Sequence, residues 1–228
     1  MFFLDPTYFW WVFIPTLLLS FGVQIYLKST FSKWSKIENG QHLTGEEVAQ
    51  ELFDEPTLDP VPVESINKPL GDHYDPSKNV VRLSPPVGKA DSVSAMAVTA
   101  HELGHVQQYQ TGSSLIKARS FLLPAIQFSP TIMYISLMMG LLFNMTGLLW
   151  VGVAFFGLTV LFSLLTLPVE FDASRRGLKM LDEAGLFTSD EEAKGAKSVL
   201  TAAALTYVAA FITSMLQFLS YVRVALNA

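Results

Sequence analysis

Ionisable side chains punctuate this chain unevenly, and three long stretches carry none. Residues 6–27 lie uncharged between Asp5 and Lys28, residues 120–169 between Arg119 and Glu170, and residues 198–222 between Lys197 and Arg223. A bilayer core of about 30 Å takes roughly 20 residues of helix, so the first and last stretches each predict one transmembrane helix. The middle stretch is long enough for two, and the polar turn Asn144-Met145-Thr146-Gly147 divides it into spans expected at 121–143 and 148–169. Trp10 and Trp11 near one end of the first span and Tyr26 near the other suit interfacial belts. No basic residue precedes that span and no small-x-small pattern follows it, so a retained anchor is expected. Gln24, Gln127 and Gln217 are read as interhelical hydrogen bonders, and Pro15, Pro124 and Pro130 as kinks or near-terminal residues.

The segments between the spans, 28–120 and 170–197, are polar. Phe31, Trp34 and Ile37 alternate with Lys33 and Lys36, a pattern that predicts a short helix on the membrane surface. Thr44-Gly45-Glu46-Glu47 is a capping box, so a helix is expected from Gly45 to Phe53, ended by Pro56, Pro60 and Pro62. His73 to Ser84 reads as two short strands around Pro76-Ser77-Lys78-Asn79. Asp91 or Ser92 should cap a helix that Gly112 stops, and the acidic stretch 182–195 reads as a solvated turn. The expected fold is mainly α: four transmembrane helices with a polar segment after the first that contains a small β-hairpin.

Composition agrees with that picture. Half of the 228 residues are hydrophobic and 15% are charged, against about 25% charged in soluble domains. The net charge of −5 excludes a nucleic-acid binder held by overall positive charge. Of the 15 Lys and Arg, nine fall in 28–120, five in 170–197 and one, Arg223, after the last span. The positive-inside rule then places both connecting segments in the cytoplasm.

The chain has no cysteine, so a metal would need His and carboxylate ligands, and only His42, His73, His101 and His105 are available. Two of them form His101-Glu102-Leu103-Gly104-His105 on the helix expected after Ser92. Spacing i, i+4 puts both imidazoles on one helix face, where they can converge on one Zn²⁺, while Glu102 stands beside the metal as a general base. A catalytic zinc wants a third protein ligand. Gln108 and Thr111 stand where a metzincin would have its glycine and third histidine, so the candidates are Glu170, Glu183, Glu191 and Glu192. Glu170 is favoured because it stands at the mouth of a span; the bland reading is a carboxylate stabilised in the first turn of a helix.

Asp72-His73-Tyr74-Asp75-Pro76, Val81-Arg82-Leu83-Ser84, the run around His101 and the run from Val169 to Arg176 resemble the signatures of the YugP-type family of bacterial membrane zinc metallopeptidases. More distantly the layout is similar to HtpX and CAAX-type membrane proteases, in which an Asp stands four residues after the ligand Glu. Here that place is Ser174, and Asp172 lies about 200° around a helix from Glu170, so the two are not expected to share a face. The resemblance implies a mainly α fold of four transmembrane helices with a cytoplasmic zincin-like catalytic domain that contains the small β-hairpin. It also implies peptidase activity in the bacterial cytoplasmic (inner) membrane, with the bilayer and a peptide or membrane-protein substrate as partners.

The expected mechanism has Zn²⁺ on His101, His105 and Glu170 binding water, Glu102 taking its proton, and the hydroxide attacking a polarised carbonyl. An oxyanion donor is sought among His73, Tyr74, Tyr109 and Arg175, with His73 favoured, and residues 80–84 are the candidate strand for substrate addition. A non-catalytic zinc-stabilised scaffold or membrane chaperone is the alternative; it would need the ligands but not Glu102. A transporter would need paired charges within the spans, which have none.

Overall fold

The computed structural model describes residues 5–68 and 71–228. Among these described residues it is mainly helical, with three short strands. Helix α1 runs Pro6–Trp34, opening with an Asp5 cap and widening to a π-turn over Phe9–Phe13 just before Pro15, which cannot donate a backbone hydrogen bond. Then come α2 (Gly45–Phe53), β1 (Val63–Ser65), β2 (His73–Asp75), β3 (Val80–Leu83), α3 (Pro85–Gly88), α4 (Val93–Gln110), α5 (Ser114–Leu142), α6 (Thr146–Glu183) and α7 (Asp190–Leu226). Helices α1, α5, α6 and α7 are each long and apolar enough to cross a membrane. They extend beyond the expected spans because nothing at the ends of the apolar stretches breaks helix: α6 and α7 run on through the charged residues that bound them.

The chain forms two compact units. One holds residues 5–24, 117–168 and 205–228. Polar side chains meet between its helices, Tyr8 Oη donating to Gln217 Oε1 at 2.9 Å and the hydroxyls of Ser163 and Ser214 lying 3.1 Å apart. Arg223 pairs with Asp5. Leu137, Leu149, Val153 and Ala225 form its buried cluster, whereas Trp10, Trp11, Leu18 and Phe21 face outward, as side chains in contact with lipid do.

The other unit holds residues 25–116 and 169–204. The capping box of Thr44 and Glu47 is present, and α2 has the bounds that it predicts. Ser92, rather than Asp91, caps α4, and Gly112 leaves it at φ 63°. Its core joins Val48 and Leu52 of α2, Val81 and Leu83 of β3, Met96 and Leu103 of α4 and Leu181 of α6, all fully buried.

Several expectations are corrected here. The surface helix over 31–37 does not exist as a separate element: α1 continues to Trp34, whose indole is buried against Gly195. The hairpin is a three-stranded sheet of order β1-β3-β2, with β1 parallel and β2 antiparallel to β3. Residues 80–84 therefore cannot accept a substrate strand, because β3 already has a neighbour on each side. The acidic stretch 182–195 is only partly solvated, since Glu192 is buried and accepts hydrogen bonds from Gly40 N and Thr188.

Candidate metal centre

Helices α4 and α6 touch backbone to backbone. A Cβ on Gly104 would lie 2.2 Å from Ala173 O, and one on Gly177 would lie 2.5 Å from Ala100 O. Ala100 and Gly104 are i, i+4 on α4, and Ala173 and Gly177 are i, i+4 on α6, so two small-residue stripes allow the close approach. The position of the α6 residues at the site follows from that contact. On α6, Glu170 and Ser174 flank one side of the stripe, and Asp172 and Arg176 the other, which is how residues roughly 200° apart on the helix both reach α4.

Glu170 lies well inside α6, so the bland reading of a first-turn carboxylate falls. Its Oε2 stands 3.4 Å from His101 Nε2 and 3.5 Å from His105 Nε2. That oxygen is buried and makes no hydrogen bond. A buried, unsatisfied carboxylate oxygen facing two imidazole nitrogens is costly unless a cation sits among them. Ligand atoms at 2.0–2.1 Å from a tetrahedral Zn²⁺ lie about 3.3–3.4 Å apart, close to the two separations found. Two imidazoles and a carboxylate are a zinc donor set, and the residues present fit that ion.

The other ring nitrogens are held from behind. His101 Nδ1 meets Ser174 Oγ at 3.1 Å, and His105 Nδ1 meets Gln108 Oε1 at 3.0 Å. Gln108 is fully buried, and its Nε2 donates at 2.8 Å to both Val169 O and Asp172 Oδ2. Both of those partners can only accept, so the amide is fixed with its oxygen toward His105. His105 must then carry its proton on Nδ1, which leaves Nε2 free to ligate. Asp172 in turn accepts from Arg176 Nε at 2.7 Å and from Arg175. Burial draws the His105 pKa down, but Glu170 and the nearby Glu102 raise it more, and it ends above the ordinary imidazole value.

Glu102 is buried, and its Oε2 accepts the Tyr74 backbone N–H at 2.9 Å, so the β2 edge aims one carboxylate oxygen. The Tyr74 ring packs edge-on against Tyr109. His73 is turned elsewhere: its Nδ1 is 2.7 Å from Gly71 O, and its Nε2 is 3.5 Å from Arg82. Among the described contacts none joins that ring to the His101, His105 and Glu170 group. Glu183 pairs with Lys179, Glu192 is engaged as above, and Glu191 is exposed.

Three site features escaped sequence reasoning: the Gly104–Ala173 contact, the Gln108 bridge and the Ser174 bond. The small residues at i, i+4 on both helices were a legible signal for the first. Gln108 had no comparable signal, being one of three glutamines that follow the motif.

A second group, Glu38, His42 and Asp91, brings three ligand atoms together, but Glu38 and His42 are exposed. No solved structure matches the chain. The protein YugP of Bacillus subtilis (strain 168), described as "Putative membrane protease YugP", is 40% identical over 214 residues, covering 94% of this chain and 95% of that protein. A family described as "Putative neutral zinc metallopeptidase" matches residues 9–226, and the chain belongs to that family of zinc peptidases.

Proposed function

We propose that this chain is a membrane zinc metalloendopeptidase that hydrolyses peptide bonds at the cytoplasmic face, with His101, His105 and Glu170 as metal ligands and Glu102 as general base. The observation that carries this reading is Glu170 Oε2, buried and unsatisfied between two Nε2 atoms. Zinc, when bound, supplies the Lewis acidity that lowers the pKa of a water and polarises the scissile carbonyl. With Oε2 held by Tyr74 N, Glu102 presents Oε1 to take a proton from the attacking water. As the C–N bond breaks, the same carboxyl returns that proton to the leaving amine. Ser174 and Gln108 keep the two imidazoles oriented while this happens. A scaffold that needed zinc alone would have no use for a carboxylate aimed in this way. The cytoplasmic orientation rests on the 14 of 15 Lys and Arg that lie in 28–120 and 170–197.

The test compares two amide variants. Glu102→Gln should keep about one zinc per chain while losing at least roughly a hundredfold in turnover of a peptide. Glu170→Gln should lose zinc itself, because a neutral amide replaces an anionic ligand. Glu183→Gln and Glu191→Gln should bind zinc as wild type does. His73→Ala should fall well short of the loss in Glu102→Gln, since its ring is committed to Gly71 and Arg82. Full zinc retention by Glu170→Gln would remove the proposed ligand set.

A further inference from the structure

Behind His101 lies a cavity of about 360 Å³ between α6 and α7. Helix α6 lines it with Phe171, Arg175 and Leu178, and α7 with Lys197, Leu200 and Ala204; each trio falls on one helix face by its spacing. The cavity sits where the uncharged stretches stop. Phe171 follows Glu170, which bounds the stretch 120–169, and Leu200 and Ala204 belong to the stretch 198–222, which Lys197 bounds. On α7 the cation Lys197 lies toward the charged end and Leu200 and Ala204 toward the uncharged end, while on α6 Arg175 stands between Phe171, on the uncharged side, and Leu178. Asp172 does not cancel the charge of Arg175, because the same carboxylate is shared with Arg176, and Lys197 adds a second exposed cation. Phe171 is half exposed at the rim.

The cavity is not where the scissile peptide would lie. Ser174 lines it, and its Oγ bonds His101 through Nδ1, the nitrogen opposite the one that faces Glu170. An occupant would touch the metal centre from behind. Apolar walls that carry two cations match an amphiphilic anion at the membrane boundary.

We infer that this cavity binds an anionic glycerophospholipid, its phosphate between Arg175 and Lys197 and an acyl chain along Phe171, Leu200 and Ala204, and that the bound lipid braces Ser174 against His101. The inference rests on reading the four helices as membrane spans, but its test counts lipid and metal rather than hydrolysis, so it can fail while the peptidase reading stands.

The full-length zinc protein is reconstituted in vesicles of phosphatidylcholine alone, or with part replaced by phosphatidylglycerol, and the lipid retained per chain is read by native mass spectrometry. Wild type should retain phosphatidylglycerol in preference. A cation near the headgroups is worth about a fivefold change in binding, so Lys197→Gln should lose about fivefold and Arg175→Gln with Lys197→Gln roughly 25-fold. Arg175→Lys should keep most of the preference, and Lys179→Gln with Lys194→Gln, exposed cations outside the cavity, should keep all of it. Phosphatidylglycerol should also slow loss of zinc to a chelator in wild type and not in the double variant. Equal retention by wild type and the double variant would overturn the inference. So would displacement of the lipid by an acidic peptide, which would assign the cavity to substrate.

Discussion

Gln108 Oε1 lies 3.0 Å from His105 Nδ1, and the amide that carries it has no freedom to turn, because its nitrogen is already committed to Val169 O and Asp172. The buried carboxylate thus acts on the imidazole through an amide rather than by direct contact. Loss of such an outer partner typically costs 10–100-fold in metal affinity. Gln108→Leu should therefore weaken zinc binding by about that factor, as should Asp172→Asn, which lets the amide orientation reverse. Competition with a chromogenic chelator reads the affinity, and wild-type affinity in both variants would show that the bridge does not hold His105.

Gly104 is demanded by space. The 2.2 Å approach to Ala173 O leaves no room for a methyl group, and backbone cannot step aside as a side chain would. Gly104→Ala should destabilise the protein by about 1–3 kcal/mol, the usual range for overpacking, and should lose zinc because the ligand helices separate. Gly22→Ala, where a Cβ meets nothing within 4 Å, is the control and should leave the thermal midpoint unchanged or slightly raised. A Gly104→Ala protein with full zinc and an unchanged midpoint would contradict the close contact.

Topology can be read directly, because the chain lacks cysteine. Pro60→Cys and Asp190→Cys should react with an impermeant maleimide only from the cytoplasmic side, and Ala228→Cys only from the other. Labelling of position 60 in intact cells would invert the proposed orientation.

Acid should weaken the small sheet. Asp75 accepts from Ser77 and, at 2.7 Å, from Arg82, and these bonds hold its carboxyl well below the usual carboxylate range. Its folded pKa is thus below the unfolded value of about 3.9. The contribution is complete above that value and is lost as pH falls toward the folded pKa. Thermal midpoints of wild type should drop more steeply below about pH 4 than those of Asp75→Asn. Parallel pH profiles would show that the Asp75 cluster adds no stability.

The sequence by itself determined those features that depend on neighbours along the chain. Uncharged stretches longer than a bilayer core require helices that bury their own backbone bonds, the Thr44 capping box settles where α2 begins, and Asp91 and Ser92 bracket the start of α4. Spacing i, i+4 was enough to place His101 and His105 on one face. Only the tertiary structure decided what meets that face. Glu170 was one of four candidate glutamates in the sequence, and it is the approach of Gly104 to Ala173 that sets its carboxylate against the imidazoles. Asp172 stands on the opposite flank from Glu170, as its angular position requires, but that angle says nothing about a partner helix that touches both flanks of a stripe. β1 escaped notice because a three-residue strand takes its conformation from pairing with β3 rather than from any periodicity of its own. His73 shows the same limit in part, since its ring lies between Gly71 O, two residues away, and Arg82, which the pairing of β2 with β3 brings within reach. Local order is written in short-range steric and hydrogen-bonding preferences, whereas a metal centre depends on distances between elements, and these are set by which side chains are small enough to let backbones touch.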